Sequence, residues 1–323
     1  MKLQTVAHLA LAMGAALLTT SVAAQAYPSG PVRVIVGFPP GSAADVAARV
    51  VTNQLGQILG TSFVVENRPG AGSNIATEAV ARAPADRYTL LMGTVANTIN
   101  QNLYPDLRFN FATDLAPIAL VGTVPNLLVV HPSVDAKTVA ELIAAAKAKP
   151  GTLTYASSGN GTSPHLSGEL FSEMAGVKLV HVPYKGSSQA VVDVVAGRVS
   201  LMFSPASTVL PHIKSGKLRA LASTGLARAN AMPELPTLSE SGLRGFDTGV
   251  WFGLLAPAKT PQAVVERLAK ATAQARDSAE LKSQFGSQGI DLLQGGPKEF
   301  ENYIGKEIAK WAKVIKAAGV KLD

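Results

Sequence analysis

The sequence predicts an α/β protein of two lobes joined by two crossing strands. Three observations carry that prediction. Short runs of β-branched residues alternate with Gly-rich loops and helix-like stretches. Two longer apolar stretches, Leu115 to His131 and Thr248 to Ala256, are placed where a chain would pass between compact units. The block between those two stretches is uninterrupted. Strands alternating with helices imply right-handed crossovers and a mostly parallel sheet covered on both faces. The two crossings divide the chain into a first domain of residues 27–127 plus 250–323 and a second of residues 128–249.

The first 26 residues precede this fold. Lys2 supplies a short positive region, His8 to Leu18 is mostly apolar, and Ala24-Gln25-Ala26 satisfies the small-x-small rule, so residues 1–26 read as a signal peptide cleaved before Tyr27. Its apolar core, about ten residues, is well short of the roughly 20 that span a bilayer. The mature protein is expected to be exported and free of a membrane anchor.

The element after this leader organises the rest. Val32 to Val36 reads as a buried strand, Phe38-Pro39-Pro40-Gly41-Ser42 cannot continue it, and Val46 to Leu59 has helical character, with Ser42 and Asp45 spaced as a capping pair. Such a helix opening leaves backbone N–H groups unpaired and carries about half a positive charge, which suits a carboxylate or phosphate. The order repeats. Phe63 to Glu66 is followed by the loop Asn67 to Asn74 and a helix over Ile75 to Ala83; Tyr88 to Met92 is followed by Gly93 to Asn97. Ligands in open sheets of this kind sit at the carboxyl ends of the strands, so the loops at 37–45 and 93–97 come together if their strands are neighbours.

Leu115 to His131, interrupted by Gly122 and Pro125, reads as one long bent strand. A helix over Ala136 to Lys149 is stopped by Pro150-Gly151. A second opening follows: the strand Thr152 to Ala156, the loop Ser157 to Pro164 and a helix from His165 to Ala175. Val177 to Val182 is the next strand, and Ser187 or Ser188 caps a helix that runs through Val195. Val199 to Phe203 and Leu218 to Ala222 are further short strands. Past the second crossing, Thr260-Pro261 opens a helix with Pro at its first position. Phe300, Ile304, Ile308, Trp311 and Ile315 recur at helical intervals and mark a helix with one buried stripe.

Composition narrows the function. The formal net charge of the 323-residue chain is +7, but Lys and Arg are scattered with no run of three and no interleaved aromatics, which argues against nucleic acid and suits an anionic small molecule. Cysteine is absent, which excludes disulfides, thiolate metal sites and cysteine nucleophiles. No metal or cofactor is expected: His131, His165, His181 and His212 lack zinc-site spacing, and neither a dinucleotide fingerprint nor a phosphate loop occurs. A nucleophile elbow is ruled out because Gly161-Thr162-Ser163-Pro164-His165 has His where Gly is required. The remaining enzymatic alternative is a hydrolase using Ser157 or Ser158 near His165.

Six ordered blocks then resemble one family. They are Phe38-Pro39-Pro40-Gly41 with Asp45 and Arg49, Glu66 to Gly72, Tyr155 to Gly161, His181 to Gly186, Pro211 to Ala222, and Trp251 to Pro257. Together they resemble the Bug family, periplasmic binding proteins of tripartite tricarboxylate transporters, across essentially the whole mature chain. The resemblance implies a type II-like Venus flytrap that holds a carboxylated metabolite, whether an organic acid, an amino acid or an aromatic acid, and delivers it to two membrane components. It implies a monomer without enzymatic activity. A sensor that docks on a membrane two-component receptor, a histidine kinase, would use the same cleft. Carried over by position, Gly41, Ser42, Ala43, Ala44 and Asp45 line one side, with Phe38 as an apolar wall. Ser157, Ser158, Gly161, Thr162 and His165 line the other, with Thr94, Asn97 and Tyr184 nearby. Two departures stand out. Relatives commonly carry Gly-Gly and then Thr before the Asp, where this chain has Gly41-Ser42 and Ala44, and an acidic residue where this chain has Ser200.

Overall fold

The computed structural model describes residues 27–320, so the signal peptide expected at residues 1–26 lies outside the described residues. Strand β1 (Val32–Val36) lies between β2 (Phe63–Asn67) and β3 (Thr89–Thr94) and is parallel to both. Val32, Val34, Ile35 and Val36 are all buried, as expected of a strand covered on both faces. Helices α1 (Ala43–Leu59), α2 (Asn74–Ala81) and α3 (Val95–Leu103) provide the crossovers. Because β1 and β3 pair, their carboxyl ends lie side by side; the loop expected at 93–97 is instead the last two residues of β3 running directly into the start of α3.

The crossings are two long strands. Over its sixteen residues β4 (Leu115–Val130) changes partners. Leu115 to Pro125 pairs with β9 (Gly249–Pro257), whereas Asn126 to Val130 pairs with β7 (Leu201–Pro205) and β8 (Arg219–Ser223). Register shifts between Pro117 and Ala119, between Leu120 and Gly122, and between Leu128 and Val129 bend it along the way. With β5 (Thr154–Ser157) and β6 (Val180–Pro183), the order is β2-β1-β3-β9-β4-β7-β5-β6, while β8 and the short β10 (Asp291–Leu292) pair with β4. The expectation of a mostly parallel sheet holds for β2-β1-β3 and for β7-β5-β6, but not at the centre. There β9 runs antiparallel to both β3 and β4, and β4 antiparallel to β7. A strand leaving one lobe and a strand returning to it travel in opposite directions, so their pairing is antiparallel.

Helices α4 (Val139–Ala148), α5 (Ser163–Ala175), α6 (Ser187–Val195) and α7 (Ala206–Lys214) pack in the second lobe, and α8 (Gln262–Asp277), α9 (Ala279–Ser287) and α10 (Pro297–Ala317) complete the first. Along α10, Phe300, Ile304 and Trp311 are buried, and Ile308 and Ile315 pack beside them. Pro261 is the residue before α8 rather than its first, and α5 begins two residues before His165. Helix α7, which carries Pro211 within it, has no counterpart among the elements expected from the sequence. One buried cluster extends from the first lobe through β4 and β9 into one face of the second lobe. A separate cluster around Leu128, Tyr155, Phe171, Phe203 and Phe246 fills the other face. No helix among the described residues is long and apolar enough to cross a membrane.

Candidate functional site

Five helices begin at one place. The starts of α1, α3, α5, α6 and α7, each following the end of a strand, line one small cavity between the lobes. The wall consists of Phe38, Ser42, Ala43 and Ala44; Thr94, Val95 and Ala96; Ser158, Thr162, Ser163 and Pro164; and Ser187, Pro205 and Val250. None of these lining residues is charged. The positive potential therefore comes from backbone: first-turn N–H groups have no acceptor within their own helix, and each helix brings about half a positive charge to its start. Surrounded by apolar side chains, those dipoles act on a negative guest with little screening.

Local capping aims the helix starts. At α1, Ser42 Oγ accepts from the Asp45 N–H at 3.4 Å, and Asp45 reaches back to accept from the Gly41 N–H at 2.9 Å. Gly41 sits at φ +75°, a conformation that favours glycine. Asp45 also takes Arg49 Nε at 3.0 Å and Asn67 Nδ2 at 2.8 Å. Burial alone would raise its pKa, but the bonds from Arg49, Gly41 and Asn67 outweigh it and hold the carboxyl below the usual range. At α3, Thr94 Oγ1 accepts from the Ala96 N–H and Asn97 Oδ1 accepts from the Thr94 N–H, a reciprocal capping box. At α5, Thr162 Oγ1 donates to the Gly159 carbonyl at 2.7 Å, and His165 Nδ1 accepts from the Gly161 N–H at 3.3 Å. Asp45, Asn97 and His165 thus share one position, the third residue of a helix, and one role: each turns back to hold the loop.

His165 is 5 % exposed and stacks on His181 at 4.3 Å, and His181 stacks in turn on Tyr155 at 4.7 Å. Burial, helped by the nearby charge of His181, pulls the His165 pKa down to about 3, so its ring is neutral. Ser157 is fully buried, with Oγ 2.7 Å from His181 Nε2 rather than at His165, and it accepts from the Gly159 N–H. Of the two serines considered for a hydrolase, Ser157 therefore pairs with His181 rather than with His165 and stands off the cavity wall, whereas Ser158 lines it.

Of the residues singled out from sequence, Phe38, Ser42, Ala43, Ala44, Thr94, Ser158 and Thr162 form the wall. Gly41, Asp45, Asn97, Ser157, Gly161 and His165 stand behind it in the hydrogen bonds just described. Tyr184 lines a neighbouring opening with Tyr104 and Gly159. Its hydroxyl donates to Asp193 at 2.7 Å, and burial together with that bond pushes its pKa up to about 12. Sequence reasoning missed Val95, Ala96, Ser163, Pro164, Ser187 and Pro205 as wall residues, although all six sit at or beside helix starts that follow strands, the pattern already used for residues 41–45. Val250 gave no signal beyond its apolar run. At the two departures from the family pattern, Ser42 and Ala44 both line the cavity, and Ser200 bonds with Thr154.

Comparison with known proteins agrees with this architecture. Residues 47–320 match the TctC family, the tripartite tricarboxylate transporter family receptors. Protein BugT of Bordetella pertussis is 37% identical over 307 residues, covering 94% of each chain. Rpa4515 of R. palustris, solved with adipate, superposes with a TM-score of 0.89 at 36% identity, covering 91% of this chain and 99% of that one. MatC from Rhodopseudomonas palustris, solved with bound malate, gives 0.85 at 29% identity, covering 90% of this chain and 100% of that one. The chain belongs to the TctC family of tripartite tricarboxylate transporter receptors.

Proposed function

We propose that this chain is a periplasmic solute-binding receptor that captures a carboxylated small molecule between its lobes and hands it to the membrane components of a tripartite tricarboxylate-type transporter. The observation that carries the reading is the convergence of five helix starts on one cavity whose wall holds no charged side chain. A carboxylate is the guest such a site stabilises, and backbone donors recognise it without a cation. Residues 27–127 with 250–323 form one closing unit and 128–249 the other, with the leader removed before Tyr27. Phe38, Ser42 to Ala44, Thr94, Ser158 and Thr162 touch the guest, while Gly41, Asp45, Asn97, Ser157, Gly161 and His165 hold the loops that do so. Tyr184 flanks the entrance. The protein works as a monomer and catalyses no reaction on its guest.

A thermal-shift screen of dicarboxylates, tricarboxylates, amino acids and aromatic acids tests this. A ligand at a hundredfold excess over its Kd stabilises the folded chain by about 2.7 kcal/mol. Stabilisation by at least one acid, and none by neutral sugars, is expected. A response to sugars and to no acid would refute the site.

A further inference from the structure

Asn126 is the first residue of β4 past its pairing with β9, opposite Pro205 of the cavity wall, and it is fully buried. Resting on the carboxylate reading above, we infer that Asn126, which is not itself a wall residue, is a positioning residue of the site. Its amide commits the Ser163 hydroxyl to donating its proton to the guest's carboxylate.

Ser163 is the first residue of α5, lines the cavity and is 1 % exposed. Asn126 Nδ2 donates to Ser163 Oγ at 2.7 Å and to Ser167 Oγ at 3.2 Å. An amide nitrogen gives two protons and accepts none, so the Ser163 oxygen receives there and keeps its own proton. No acceptor for that proton occurs among the described residues. A buried hydroxyl proton in that position is satisfied by a carboxylate oxygen in the cavity. The bond from Asn126 also strengthens the hydroxyl as a donor, because hydrogen bonds in a chain polarise one another.

The amide is itself held. Ser167 gives its proton to the Ser163 carbonyl at 2.8 Å, so its oxygen receives from Asn126 and, at 2.7 Å, from Thr248 Oγ1. The Thr224 N–H donates to the Asn126 carbonyl at 2.9 Å, and Thr224 Oγ1 donates to the Thr248 carbonyl at 2.7 Å. Both crossing strands thus reach the wall here, β4 through Asn126 and the residue before β9, Thr248, through Ser167. Asn126 Oδ1 is buried without a partner. Turning the amide over would pair that oxygen with the serines and strand both N–H protons, so one unpaired acceptor would be exchanged for two unpaired donors.

A double-mutant cycle on the purified protein, read by calorimetric titration with succinate, malate, glutarate and adipate, tests this. Asn126→Asp keeps the shape but replaces the donor with an acceptor, which takes the Ser163 proton from the guest. Ser163→Ala removes the hydroxyl. For each acid that binds the wild type, Ser163→Ala is expected to weaken binding about tenfold or more. Asn126→Asp is expected to weaken it at least as much, and its effect is expected to shrink about tenfold in the Ser163→Ala background. Direct repulsion by the new charge is present in both backgrounds and drops out of the comparison. Equal effects of Asn126→Asp in the two backgrounds overturn the inference, as does unchanged affinity in Ser163→Ala, and both results leave the carboxylate reading standing. If Asn126→Asp does not fold, Asn126→Leu, which removes the donor without adding charge, enters the same cycle. A loss that shrinks about threefold or more in the Ser163→Ala background then supports the inference, and a constant loss overturns it. If no acid in the panel binds the wild type, the carboxylate reading falls and the inference falls with it.

Discussion

Asp45, Asn97 and His165 are chemically unlike, yet each sits at the third position of a site helix and takes a backbone N–H just before that helix. A charged, an amide and an imidazole acceptor are equivalent there because the task is geometric, and only the protonation behaviour separates them. His165 makes the sharpest case. Its pKa falls from 6.5 to about 3 on folding, so between those values the unfolded chain binds the extra proton and stability rises with pH. The contribution is complete above pH 6.5 and is lost as acidity carries the pH towards 3, with a slope of up to about 1.4 kcal/mol per pH unit. His165→Gln keeps an acceptor for Gly161 and removes the titration. Urea melts between pH 7 and 4 should show a flatter stability profile for the variant, and parallel profiles would discount His165 as the cause. The capping at Ser42 and Asp45 was legible in the sequence because it is complete within four residues. The pairing of Ser157 with His181 was not, because it joins neighbouring strands whose register no local pattern states.

At the scale of elements, the lobes meet where glycine backbone packs closely against the opposing lobe. A side chain on Gly161 would overlap Asn100, one on Gly72 would lie 2.7 Å from the Asn160 carbonyl, and one on Gly186 would lie 2.5 Å from Pro39 Cδ. Gly186 gives the cleanest test because its φ of 177° is ordinary extended backbone. Gly186→Ala therefore adds no strain within its own loop and acts only across the cleft against a rigid ring. Overpacking of that kind costs about 1–3 kcal/mol, felt only when the lobes are shut. Affinity should fall by roughly ten- to a hundredfold, the unliganded melting temperature should hold, and Pro39→Ala should restore binding in the double variant. Full affinity in the single variant would mean that the guest is held without these loops touching. The strand–loop–helix openings that build this seam were readable from glycine and capping residues. Helix α7 was hidden by Pro211, and the antiparallel centre was hidden because apolar runs carry no direction.

At the scale of the molecule, the binding cavity and the crossing strands are mechanically joined. Val250 lines the cavity from β9, and its neighbour Trp251 turns to the opposite side, where its indole N–H donates to Glu307 Oε2 at 3.2 Å. Trp311 on α10 donates to the same oxygen at 3.0 Å. Around them is a second space of about 320 Å³, bridged by Lys310 on Asp247 at 2.8 Å and by Asn230 on Asp291 at 2.7 Å. Both bridges tie the first lobe to the segment that returns from the second, so closure of the lobes, if it accompanies binding as proposed, is expected to change the surroundings of Trp251. Trp311 is anchored on the far side in the first lobe and should feel less of it. The chain has two tryptophans, so intrinsic emission can be divided between them. A saturating acid should shift the emission of the wild type and of Trp311→Phe and leave Trp251→Phe nearly silent. An acid that raises the melting temperature without any change in emission would show that binding proceeds with the crossing strands at rest, and closure would then have no part in capture.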